Sequence, residues 1–181
     1  MDNISTYGKF DKFIHWLMAL NIFATLIFSY GMSDLPEALK AEEYGGHGAS
    51  VTTIAICLVI RAIWRARQGF PPLPATMTDV QKLAAKAVHY LLYACLFAQV
   101  CVGILLASTT EQEFIAQGYN INYTSFDLVA DSMHDTLLTF HKGIYWTIVA
   151  LLLTHIAAAL KHHFVDKDDV LVRMLPFTKR P

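Results

Sequence analysis

His141 and His155 stand 14 residues apart, and Gly143 to Leu160 between them carries no Asp, Glu, Lys or Arg. On a helix turning about 100° per residue, that spacing returns both side chains to within roughly 40° of one face, about 21 Å apart along the axis. Neutral imidazole is a good axial ligand for haem iron, and helical bundles commonly hold such cofactors between facing helices. One helix of this kind can offer a ligand to each of two metal centres near its opposite ends. Six further histidines are available to complete them: His15, His47, His89, His134, His162 and His163.

The elements that position these residues are membrane spans. Apolar residues make up 55% of the 181, and charged residues only 16%, against roughly 25% in ordinary soluble domains. A soluble globule is therefore nearly excluded, as are a disordered chain and a disulfide-rich secreted fold. With charges as rulers, four stretches are long enough to cross the hydrocarbon: Phe13 to Ser33, Gly45 to Ile60, Ala87 to Thr110 and Gly143 to Leu160. A backbone in lipid must satisfy its own hydrogen bonds, so these are helices, with spans expected at about 13–33, 46–66, 84–108 and 140–161. Pro36 with the acidic Glu37–Glu43 segment is expected to separate the first two, and Pro71, Pro72 and Pro74 the next two. The long loop from Glu111 to about Leu137 has room for a short surface helix near Phe126 to Met133. The expected fold is all-α, a four-helix integral membrane bundle forming a single domain. Cleavage of the first span as a signal peptide is not expected, because Met32-Ser33-Asp34-Leu35-Pro36 is a poor small-residue site.

Lys and Arg placement orients the bundle. With the N-terminus inside, Lys9, Lys12, Arg61, Arg65, Arg67, Lys82, Lys86, Lys161, Lys167, Arg173, Lys179 and Arg180 all face the cytoplasm, and only Lys40 and Lys142 lie outside. Both termini are thus cytoplasmic in a bacterial inner-membrane protein. Cys57, Cys95 and Cys101 fall inside spans without a C-x-x-C pair, so they read as apolar packing residues.

Depth along each span sorts the histidines. His15 and His155 lie near the inner surface, His47 and His141 near the outer one. A single histidine near a membrane surface is more often a polar anchor, but four matched in depth and drawn from three helices favour ligation. Iron–sulfur chemistry would want clustered cysteines, and structural zinc a tetrahedral set at one depth; neither is present in the pattern. Gly45, Gly46 and Gly48 around His47, with Gly143 and Ala158 on the fourth span, would let a flat macrocycle approach, although glycines also serve plain helix packing. His89 sits near the depth of the inner pair and could replace His15, pack, or bond a propionate. His162, seven residues after His155, projects on nearly the same face; with Lys161 and His163 it could meet a propionate or a quinone carbonyl, or simply anchor at the interface. His134 could contact the outer cofactor or an external donor.

Specific strings carry a resemblance. Phe13-Ile14-His15-Trp16-Leu17, His47, the stretch Leu83-Ala84-Ala85-Lys86-Ala87-Val88-His89-Tyr90-Leu91-Leu92-Tyr93, the His141/His155 separation, and Ala159-Leu160-Lys161-His162-His163-Phe164-Val165-Asp166-Lys167-Asp168-Asp169 leading to Arg173-Met174-Leu175 span almost the whole chain. In these features it resembles the bacterial four-helix cytochrome b561 family of di-haem membrane cytochromes. The resemblance implies two b-type haems per chain, each on two histidines. It assigns the outer haem to His47 and His141 and the inner to His15 and His155, with electron exchange to ubiquinone or another membrane quinone. Some members look like superoxide oxidases, and the histidine frame is similar to haem subunits of membrane hydrogenases and formate dehydrogenases.

The function expected is a one-electron relay between a periplasmic-side partner and quinone, with Lys161 and His162 as inner-surface contacts for quinone or propionates. Arg61, Arg65, Lys9 and Lys12 are general propionate or lipid contacts, more often solvated or lipid-facing. The alternatives are a superoxide:quinone oxidoreductase, and a membrane-anchoring haem subunit docked to an external oxidoreductase, for which the long acidic loop speaks. A histidine-lined proton or metal transporter is a third class, but no intramembrane Asp or Glu accompanies the histidines. The near-neutral charge hides a polarised molecule. Outside, Asp34, Glu37, Glu42, Glu43, Glu111, Glu113, Asp127, Asp131 and Asp135 face two lysines. Such a surface repels anions, favours a cationic or neutral partner and offers nucleic acid nothing. Alkaline phosphatase fused after the last residue should be inactive and a fluorescent protein there bright; the opposite pattern would invert the topology.

Overall fold

The computed structural model describes residues 6–69 and 71–177. Four helices dominate it: α1 (Lys9–Phe28), α2 (Glu37–Gln68), α3 (Asp79–Ala107) and α4 (His134–Lys161). Each is long and apolar enough to cross a bilayer. The protein is an all-α membrane bundle in which α1 packs chiefly on α2 and α3 on α4. Many large apolar side chains, among them Phe13, Leu20, Phe97 and Leu153, are exposed on its outside, as lipid-facing positions must be. Inside, Ile14, Met18 and Ile22 of α1 pack against Ile54, Cys57 and Leu58 of α2, backed by Tyr93, Leu96 and Leu152. All three cysteines are free.

Helix boundaries depart from the charge rulers in instructive ways. The Glu37–Glu43 segment is not a joint. Pro36, at φ −56°, leads directly into α2, and the acidic residues form its first two turns. At 32 residues α2 is about 48 Å long, well over the hydrocarbon thickness, so its outer end stands in water where carboxylates are solvated on a continuing helix. The turn between α1 and α2 is confined to Ser29–Leu35 and uses Gly31 in the left-handed region at φ 76°. Thr78 opens α3 through a capping box with Gln81. At its other end Ser108, Thr109 and Thr110 donate their hydroxyls to the carbonyls of Leu105, Leu106 and Ala107.

The loop after α3 holds a two-stranded hairpin, β1 (Ile115–Ala116) paired antiparallel with β2 (Ile121–Asn122). No helix covers 126–133. Two 3₁₀ turns, Thr124–Phe126 and Asp131–Met133, stand there, divided by Asp127 in the left-handed region and Ala130 in extended backbone. Phe114, Ala116 and Tyr123 are buried with Ala107 in a small outer core of the hairpin's own. That core is docked on α2: Tyr123 Oη lies 2.7 Å from Thr52 Oγ1, and Gln117 N–H donates to the Gly45 carbonyl at 3.1 Å.

Polar contacts set the register of α1 against α2. Mid-bundle, Asn21 donates to the Ser50 carbonyl, and the Ser50 and Thr25 hydroxyls complete a closed network with it. At the inner end Asp11 meets Arg65 at 2.8 Å, both side chains buried, and Arg61 donates to the Asp11 carbonyl. The Arg65 guanidinium lies 4.6 Å over the Tyr7 ring. Burial pushes the Tyr7 phenol up from its ordinary range, with Arg65 and Arg61 pulling the other way, so it remains protonated at neutral pH. The chain after α4 closes over this end. Trp16 Nε1–H donates to the Met174 carbonyl, Thr6 to that of Arg173, and Arg173 to that of Pro72. Lys179 and Arg180, counted above toward the cytoplasmic face, and both termini lie outside the described residues.

Removing one member of a buried ion pair strands the other charge. Asp11→Ala should therefore lower stability by about 3–5 kcal/mol, and Asp11→Leu with Arg65→Met should regain most of it. Unfolding in mixed detergent micelles followed by circular dichroism measures both.

Candidate functional site

α4 carries His141 near its outer end and His155 towards its inner end, and the bundle brings a second helix to each. The rings of His47 on α2 and His141 have centroids 6.5 Å apart with planes at 74°. Those of His15 on α1 and His155 are 6.3 Å apart at 68°. Two imidazoles bound to opposite faces of one first-row metal through bonds of about 2.0–2.1 Å would put their centroids roughly 6.3 Å apart. Both pairs have that separation. Direct hydrogen bonding would bring the rings closer.

The surroundings of the outer pair fit a bulky apolar cofactor. A cavity of about 470 Å³ runs beside His47 and His141, walled by Ile54, Leu96, Val100, Gly103 and Ile148 among others. A β-carbon at Gly103 would come within 3.1 Å of His141 Cε1, so a side chain at this position on α3 would press the imidazole away by a few tenths of an ångström. Phe114 meets the His47 ring edge-on at 6.3 Å and fixes its orientation. The donor set is right for iron in a macrocycle: two neutral nitrogens with no carboxylate or thiolate beside them. Among the described residues the one group of three or more metal-type ligands is His162, Asp166 and Asp168, away from both pairs.

Two of the glycines around His47 face the hairpin. Gly45 and Gly48 admit the hairpin, since a β-carbon at Gly48 would lie 3.0 Å from the Ala116 backbone and one at Gly45 2.9 Å from Gln117. Gly46 and Gly143 have nothing within 4 Å of that position. Gly103, the glycine that touches a candidate ligand, was missed. Its being the lone glycine of the third span was its only trace in the sequence.

The remaining histidines divide. His89 on α3 is 5.2 Å from His155, about 1 Å closer than the paired rings, which makes it a neighbour of His155 more than its partner across a metal. His134 opens α4, bonds Thr109 Oγ1 through Nδ1 at 2.9 Å and lines the outer cavity. His162 begins a π-helical turn, His162–Asp166, and its Nδ1 lies 2.7 Å from Asp168 Oδ2, while Lys161 Nζ reaches both oxygens of Asp166. These two inner-surface candidates are thus already held by carboxylates of the chain that follows α4. Lys40 and Lys142, the two lysines assigned to the outer side, both line the outer cavity.

Residues 6–177 match the family model described as prokaryotic cytochrome b561. The chain is 33% identical over 175 residues to cytochrome b561 homolog 2 of Escherichia coli (strain K12), covering 93% of this chain and 90% of that protein. It is 25% identical to cytochrome b561 homolog 1 of the same organism over 97% of this chain and the whole of that one. It is also 25% identical to the probable superoxide oxidase CybB of Yersinia pestis, over 90% and 92% of the two chains. With four membrane-length helices and two facing imidazole pairs in its core, the chain belongs to the prokaryotic cytochrome b561 family, the haem b electron-transfer proteins of the bacterial inner membrane.

Proposed function

We propose that this protein carries single electrons across the inner membrane between a periplasmic-side redox partner and membrane quinone. The observation that carries it is the pair of imidazole pairs at opposite ends of the bundle, one member of each on α4. His47 and His141 would hold an outer haem b, and His15 and His155 an inner one. When bound, haem supplies reversible one-electron chemistry at iron, with a potential set by its ligands and burial. The protein's part is geometric and electrostatic. α4 fixes the two ligand positions about 21 Å apart along its axis, a spacing a folded helix cannot lose. The hairpin sets Phe114 edge-on to His47 and packs Tyr123 behind it. At the inner surface Asp168 holds His162 by Nδ1, which leaves Nε2 to face a quinone carbonyl or a propionate. Lys161 beside it, tied to Asp166, adds a positive group.

The pyridine haemochrome of the purified protein should report two protohaems per chain. His141→Ala and His155→Ala should each remove a different one, and Gly103→Leu should remove the outer one alone. Retention of both haems in the two histidine variants would overturn the ligand assignment.

A second donor is favoured by one observation. The outer surface is acidic and suits a cationic protein, yet Lys40, Lys142 and His134 line the cavity beside the outer pair against a single carboxylate, Asp34, and that balance could draw in a small anion. Superoxide is such an anion. Stopped-flow mixing separates the two by sign. With superoxide as donor, Lys142→Glu should slow reduction roughly tenfold or more. With a cationic redox protein, the same change should leave the rate equal or faster, and added salt should slow it.

A further inference from the structure

The bundle interior holds two polar atoms that nothing satisfies and that complement each other. His141 Nδ1 and Gln99 Oε1 are both buried without a hydrogen-bond partner among the described residues. Both residues line the outer cavity. A buried polar group in a membrane interior is costly unless it is paired, and two orphans facing one cavity point to a bond the pair makes when the cavity is filled.

Their positions agree. Gly103 lies against the His141 ring, its ideal β-carbon 3.6 Å from Nδ1. Gln99 is four residues earlier on α3, on the same helix face and one turn inward, with β positions about 5–6 Å apart. A glutamine side chain spans that turn. A histidine that ligates a metal through Nε2 carries its proton on Nδ1, and that N–H almost always finds an acceptor, which fixes the tautomer and raises the ring's donor strength. His134 stands seven residues before His141 on α4, about 10 Å away along the axis, and its Nδ1 is bonded to Thr109.

We infer that Gln99 is a positioning residue for the outer centre, its amide oxygen accepting the proton of His141 Nδ1–H. The inference rests on His141 being an axial ligand, as proposed above. An acceptor at Nδ1 gives the imidazole partial imidazolate character, which stabilises ferric iron and lowers the potential of the outer centre relative to an unbonded ligand.

Gln99→Met keeps the length and removes the acceptor; Gln99→Glu keeps an acceptor and strengthens it. Redox titration of the purified protein should show the outer centre shifted positive in Gln99→Met and negative in Gln99→Glu. The inner centre should stay put in Gln99→Met. Pulsed EPR should show the quadrupole coupling of one remote imidazole nitrogen changed in the outer-centre signal of Gln99→Met, which a purely structural role would not produce. Two haems with unchanged coupling and unchanged outer potential in Gln99→Met overturn the inference, as does a negative shift there. If Gln99→Met loses the outer haem, retention by Gln99→Glu supports the acceptor role, and loss from both overturns it. Two haems remaining in His141→Ala would instead overturn the ligand assignment on which it stands.

Discussion

A single helix carries one histidine of each pair, and the rest of the architecture answers to that. Because His141 and His155 share one face of α4, their separation is rigid, and any partner helix must arrive at the right height and azimuth. α1 and α2 run antiparallel to each other, so His15 and His47 reach opposite surfaces. Their relative height is set by contacts that lipid makes expensive to lose: the Asn21–Ser50–Thr25 network in mid-bundle and the Asp11–Arg65 pair at the inner end. Tyr145 adds a tie from α4 to the Leu26 carbonyl on α1. Polar residues in these helices act as register pins where apolar packing alone would allow sliding.

The two ends of the bundle are finished differently. Outside, the hairpin brings its own buried cluster and docks on α2 through glycines that leave space for backbone. It sets Phe114 against the His47 ring. Charge is partly sorted by depth: the outer cavity is lined by both outer lysines and, of the nine outer carboxylates, by Asp34 alone. A surface of one sign over a throat of the other can attract one class of partner and still admit a small ion of opposite preference. Inside, the segment after α4 folds back on α1, and Trp16, next to His15 in sequence, is bonded to it. The inner pair is consequently tied to the position of this segment as well as to the helices.

Much of this was legible before any fold was known. The four spans followed from charge-free runs, the orientation from lysine and arginine, and the pairing of histidines by depth from the position of each along its span. The failures share one cause. Charges mark where lipid ends, and helices do not have to end there, so Glu37–Glu43 looked like a joint although it is the solvated start of α2. Gly45 and Gly48 flank a candidate ligand in sequence, and on a helix neighbours one or two apart face different ways. Only the fold shows that they face the hairpin.

The sequence by itself determined the membrane topology and the 14-residue interval on α4, because hydropathy, charge and helical periodicity are local properties of the chain. Tertiary structure decided which side chains meet. It set the gaps of 6.3 and 6.5 Å between rings, turned His89 into a neighbour of His155, placed Gly103 against His141, and left Gln99 and His141 with unspent hydrogen-bonding capacity in one cavity. Those facts depend on the rotation and height of one helix relative to another, which no local pattern encodes.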